Sequence, residues 1–125
     1  MAVGKTEEYK VVHVNDRWWI IYSGELIGYF MDNFWNGSFT NIKTVAWYGE
    51  VASGREKPCI DMGNGKFGGK PGAAVIEDMR LTETDSKGTP HSVKFTNKDV
   101  TQTNSHFYNG KVTANRFSYG GPGGC

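Results

Sequence analysis

A glutamate set among aromatic residues is the strongest offer of chemistry in this sequence. In Lys43 to Ala52 (KTVAWYGEVA), strict alternation puts Thr44, Ala46, Tyr48, Glu50 and Ala52 on one face of a strand. Val45, Trp47, Gly49 and Val51 fall on the other. Beside Tyr48 and two alanines, the Glu50 carboxyl is either a partly desolvated acid or an ordinary solvated side chain on an edge strand. The first case matters for catalysis, because burial, or a second carboxylate nearby, makes a carboxyl hold its proton more tightly. Upstream, Trp18, Trp19, Tyr22, Tyr29, Phe30 and Trp35 are either the core or the lining of a groove. Trp18 and Trp19 are adjacent, so on a strand they point to opposite faces and one of them leaves the core.

Other motifs offer less. Gly63-Asn64-Gly65-Lys66-Phe67-Gly68 is a literal GxGxxG, but that pattern cradles a pyrophosphate only where a helix follows, and here Gly69, Pro71 and Gly72 follow. A tightly turned loop is the expected role. His13, His91 and His106 are far apart with no ligand-type partner at helical or strand spacing, and Cys59 and Cys125 are isolated from each other. No metal or other cofactor is therefore expected, and the two cysteines form one disulfide or none. The sequence has no GxSxG elbow. Asn36-Gly37-Ser38 is a glycosylation sequon that chance supplies readily.

The elements that must hold these residues are strands. Of 125 residues, 17 are glycine, about twice the ordinary share, and only Leu26 and Leu81 are leucine, so helices have little to work with. Aromatics reach 14% and join valine, isoleucine and threonine, the types that suit a pleated, half-buried surface. The expected fold is a single all-β domain over residues 1–125, an antiparallel β-sandwich or strongly bent antiparallel sheet.

Tyr9 to Val14 and Arg17 to Tyr22 flank Asn15-Asp16 and read as a hairpin. Leu26 to Phe30 follows, with Gly28 a candidate bulge. Met31 to Asn41 reads as a loop or one helical turn, Ser53 to Pro58 as a turn, and Met62 to Gly72 as a long glycine-rich loop. Ala73 to Leu81 is a regular element, Thr82 to Pro90 a surface turn and Ser92 to Phe95 a strand. Ser105 to Tyr108 and Lys111 to Ala114 read as strands around an Asn109-Gly110 hairpin turn.

A net charge of +1 gives no reason to expect nucleic acid or an anionic membrane as partner. No apolar run approaches the roughly 20 residues of a membrane helix, and no export signal is visible at Met1 to Lys10.

Five landmarks in order resemble the C-terminal half of the neprosin domain, from about Tyr9 to Cys125. They are Trp18-Trp19, Gly28-Tyr29-Phe30, Trp47-Tyr48-Gly49-Glu50-Val51, Met62 to Phe67 (MGNGKF), and Tyr119-Gly120-Gly121-Pro122-Gly123. The resemblance implies an antiparallel β-sandwich that is secreted and acts as a glutamic peptidase on bonds next to proline. Its two glutamates face each other across a groove, and Glu50 matches the one in the Trp-x-Gly-Glu-Val strand. The other lies upstream of the residues present, and Glu7, Glu8 and Glu25 do not match its motif. The chain is thus expected to be a portion of such a domain or a diverged relative, nearly inactive alone unless a missing N-terminal portion or a second copy supplies the partner.

Tyr48, Tyr29 and Trp35 are the candidate substrate-binding residues, packing on the pyrrolidine ring of a proline-containing peptide. Tyr48 stands where the family has a second glycine. The family's partner for the terminal cysteine is replaced in the Asn104-Ser105-His106 region. A module that binds peptide or polysaccharide on exposed aromatics, without catalysis, is the alternative.

Overall fold

The computed structural model describes residues 4–35, 42–52, 59–95 and 98–124. Its described residues are all-β as expected: antiparallel strands throughout and one 3₁₀ turn. They group into two compact units, Met1–Ala46 and Trp47–Cys125.

The first unit is a three-stranded meander of β1 (Tyr9–Val14), β2 (Arg17–Tyr22) and β3 (Glu25–Met31), in that order. Asn15 (φ 53°) and Asp16 (φ 58°) are both left-handed, which a two-residue turn needs if its twist is to match that of the strands it joins. Ser23 (φ 48°) and Gly24 (φ 87°) repeat the device between β2 and β3. The register puts His13, Trp18 and Phe30 in one cross-strand row and Val12, Trp19 and Tyr29 in the next, on the opposite face. Trp18 is the buried tryptophan, 5% exposed, while Trp19 stays half-buried. The pairing slips between Ile20 and Ile21, so Ile27, the neighbour of Gly28, is the residue without a register partner.

A 3₁₀ turn, Asp32–Trp35, follows β3. Its first residue is held twice: Asp32 N donates to Asp16 O at 3.0 Å, and His13 Nε2 lies 2.9 and 3.0 Å from the Asp32 carboxylate oxygens. His13 in turn stacks on Trp18, centroids 4.4 Å apart. The sequon Asn36-Gly37-Ser38 and the Ser53–Pro58 turn lie outside the described residues.

The second unit contains β4 (Ala74–Ile76), β5 (Leu81–Thr84), β6 (Pro90–Val93), β7 (Asn109–Thr113) and β8 (Arg116–Gly120). They make a sheet ordered β4-β8-β7 and a separate hairpin, β5–β6. The run Ala73 to Leu81 is not one element, because Asp78 (φ 57°) turns the chain between β4 and β5. The β5–β6 turn is organised by Asp85, whose Oδ1 accepts from the amides of Lys87 and Thr89 at 2.9 and 2.8 Å.

Two further expectations fail here for physical reasons. Asn109-Gly110 opens β7, and the hairpin turns at Ala114 (φ 50°) and Asn115 instead. Gly110 is needed inside the strand, where a Cβ would stand 2.5 Å from the Phe117 ring. Ser105 to Tyr108 is likewise a turn, with the amides of Phe107 and Tyr108 both donating to Asn104 O.

Lys43 to Ala52 has no ladder partner among the described residues and is irregular. Its expected alternation survives as burial: Trp47, Gly49 and Val51 are half-buried, while Tyr48, Glu50 and Ala52 are exposed. In this unit Met79, Tyr108 and Ser118 are the buried side chains among the described residues.

Candidate functional site

The glycine-rich loop after Met62 is a strap on the β4-β8-β7 sheet. Met62 N donates to Gly121 O at 3.0 Å and Gly121 N returns to Met62 O at 3.3 Å, a single antiparallel bridge past the end of β8. Further along, Gly69 N donates to Ser118 Oγ at 2.9 Å, and that hydroxyl donates to Lys111 O at 3.2 Å. Ser118 is only 5% exposed, so one buried hydroxyl joins the strap to both β7 and β8. No helix follows the GxGxxG residues, and their hydrogen bonds stay within the loop, Gly65 N donating to Met62 O, Lys70 N to Phe67 O and Asn64 Nδ2 to Gly72 O.

The strap carries Met62 to the segment that bears Glu50. Gly49 packs against the Tyr119 ring, whose Cδ2 and Cε2 occupy the place of a Cβ, with Met62 Sδ 3.1 Å from where that Cβ would stand. One residue before Tyr48, the Trp47 ring meets Phe95 edge-on at 5.6 Å. Trp47 and Gly49 thus anchor the inner side of the segment, and Tyr48 and Glu50 project outward on the other.

Tyr48 is 69% exposed. Glu50 is exposed and, among the described residues, makes no hydrogen bond or ion pair. An open carboxylate on a fixed backbone is able to accept a proton from water. The solvated alternative for Glu50 is the one observed, since its same-side neighbours provide too little apolar cover to desolvate it.

Tyr29 and Trp35 belong to the first unit. Tyr29 is 47% exposed, 4.8 Å from the Trp19 ring, with the Arg17 guanidinium 5.0 Å from its own centroid. Trp35 is the last residue of the 3₁₀ turn. Among the described residues no three His, Cys, Asp or Glu side chains converge as metal ligands would. Cys59 is disulfide-bonded.

Against known families, the model that matches is Neprosin, over residues 5–122. The chain belongs to the Neprosin family. No curated protein and no solved structure matches it. The Neprosin match spans both compact units and includes all five landmarks as far as Pro122. Three of these landmarks meet in the second unit, where Gly49, Met62 and Tyr119 pack on one another.

Neprosin membership points to a peptidase-like domain. What sequence reasoning missed is the architecture behind Glu50: the Tyr119 ring over Gly49, the Met62–Gly121 bridge and the Ser118 hydroxyl. The only trace of these in the sequence is the unusual density of glycine at the contact points.

Proposed function

We propose that this Neprosin chain is a glutamic peptidase domain that hydrolyses peptide bonds next to proline, with Glu50 as the carboxylate that takes a proton from the attacking water. The observation that carries the reading is the meeting of three Neprosin landmarks at Gly49, directly beside Glu50. Such packing holds a catalytic side chain at a repeatable backbone position, as general base catalysis requires.

The attack is completed by an acid. As water adds to the scissile carbonyl and gives its proton to Glu50, a protonated carboxyl donates to the carbonyl oxygen. The adduct then collapses as the C–N bond breaks, Glu50 passing its proton to the leaving nitrogen and a hydroxyl proton returning to the second carboxyl, so the two titrate as a pair. In this proposal the second carboxyl comes from an upstream portion of the domain or from another copy. Tyr48 in the second unit and Tyr29 in the first each expose a ring that can take a pyrrolidine ring, and Trp35 remains a candidate by its place in the sequence. The disulfide at Cys59 suits a secreted protein.

Digestion of proline-containing peptides at acid pH, followed by mass spectrometry, tests this: cleavage next to proline should vanish in Glu50→Gln. One observation favours a second reading. Half-buried Trp19 and exposed Tyr29 form an aromatic pair with Arg17 above Tyr29, a surface suited to holding peptide or polysaccharide without cleaving it. Binding undiminished by Glu50→Gln, with no cleavage by the native chain, would establish that reading instead.

A further inference from the structure

A groove of about 440 Å³ opens beside the β5–β6 hairpin, within the size range of small-ligand sites. Its floor is apolar. Leu81 and Val93 face each other across the ladder, and Met79 and Phe95 extend the surface to either side. Its rim is cationic, with Arg80, Lys94 and Lys98 and no acidic residue among those lining it.

The three cations are not equivalent. Arg80 is spent on Asp78, 2.5 Å away. Lys98 donates to Ala114 O and lies 5.6 Å from the Phe95 ring centroid, so its charge is pinned above the floor. Lys94 is exposed and makes no ion pair among the described residues. The groove therefore presents apolar surface beside a net positive rim.

We propose that this groove binds an acidic peptide segment in which a carboxylate side chain lies next to an apolar one. The apolar side chain covers Leu81, Val93 and Phe95 while the carboxylate meets Lys94 and Lys98. Charge complementarity selects the occupant, since a basic or uncharged peptide leaves the rim unpaired. The site is separate from Glu50, although the Phe95–Trp47 contact joins its floor to the Glu50 segment.

The chain's two leucines make a direct test. With leucine methyls labelled, Leu81 lines the groove and Leu26, on β3 of the first unit, is the internal control. Addition of the peptide Glu-Leu-Glu-Leu-Glu should shift the Leu81 methyl signals and leave those of Leu26 in place. Lys94→Glu, an exposed change that spares the fold, should weaken binding about five- to tenfold. Raising ionic strength past about 0.1 M should weaken it further. The proposal is overturned if Leu81 does not respond, if Lys-Leu-Lys-Leu-Lys binds as well, or if Lys94→Glu changes nothing. Glu50→Gln should bind the acidic peptide normally, so loss of cleavage and loss of this site are read separately.

Discussion

The Tyr119 ring lies across Gly49 so closely that no side chain fits between them. The contact joins the end of β8 to the residue preceding Glu50, and Met62 closes it from the strap. Gly49→Ala should therefore destabilise the chain by about 1–3 kcal/mol, the usual cost of forcing a methyl into a filled space. Trimming the ring in a Gly49→Ala, Tyr119→Leu double variant should recover part of that loss. Urea unfolding of the four-member cycle measures the coupling, and simple additivity would mean that the contact does not constrain the segment.

Ser118 is the second fastening. Its buried hydroxyl accepts from Gly69 N and donates to Lys111 O, so Ser118→Ala leaves an amide and a carbonyl short of a partner. The expected cost is about 1–3 kcal/mol. Amide exchange at Gly69 should accelerate in the same variant, and unchanged exchange would argue against this fastening.

Ala114 holds a left-handed conformation at the β7–β8 turn without the side chain that tolerates it. Ala114→Gly should stabilise by roughly 0.5–1 kcal/mol, the relief of strain less the added freedom of the unfolded chain. The Lys98 bond to the carbonyl of residue 114 is kept in this variant. A higher midpoint in thermal unfolding is the expected result.

Tyr22 holds its proton above the ordinary tyrosine value of 10.0, chiefly through its hydrogen bond with Glu7, with desolvation adding to the effect. The sign follows from the raised value. The contribution is whole below the unfolded tyrosine's titration and is lost as pH climbs through that of folded Tyr22. Ultraviolet titration should show the Tyr22 phenol ionising above the ordinary tyrosine value, and Glu7→Gln should bring it back toward that value.

Much of this was legible in the sequence where local chemistry decided the outcome. The β1–β2 hairpin falls on its expected residues because Asn15-Asp16 accepts left-handed angles and both flanking runs favour strands. The opposed fates of Trp18 and Trp19 follow from strand alternation alone. Asn109-Gly110 misled because its glycine serves a contact with Phe117, which sequence proximity does not reveal.

The segment around Glu50 was legible only in part. Alternation correctly placed Tyr48 and Glu50 on one side, but a ladder also needs a partner strand, and none is present among the described residues. The contacts that fix Gly49 come from Met62 and Tyr119, distant in the chain and silent in any local pattern.

The most direct measurement concerns the proton taken at residue 50. Under the proposed function, cleavage of a proline-containing peptide at acid pH should be weak for the chain alone and should rise when acetic acid is added as a small substitute for the second carboxyl of the proposed pair. With Glu50→Gln, the acetic-acid-dependent rate should fall by about 10²- to 10⁴-fold. Equal rates in the two proteins, or no cleavage above buffer at any acetic acid concentration, would contradict a catalytic Glu50.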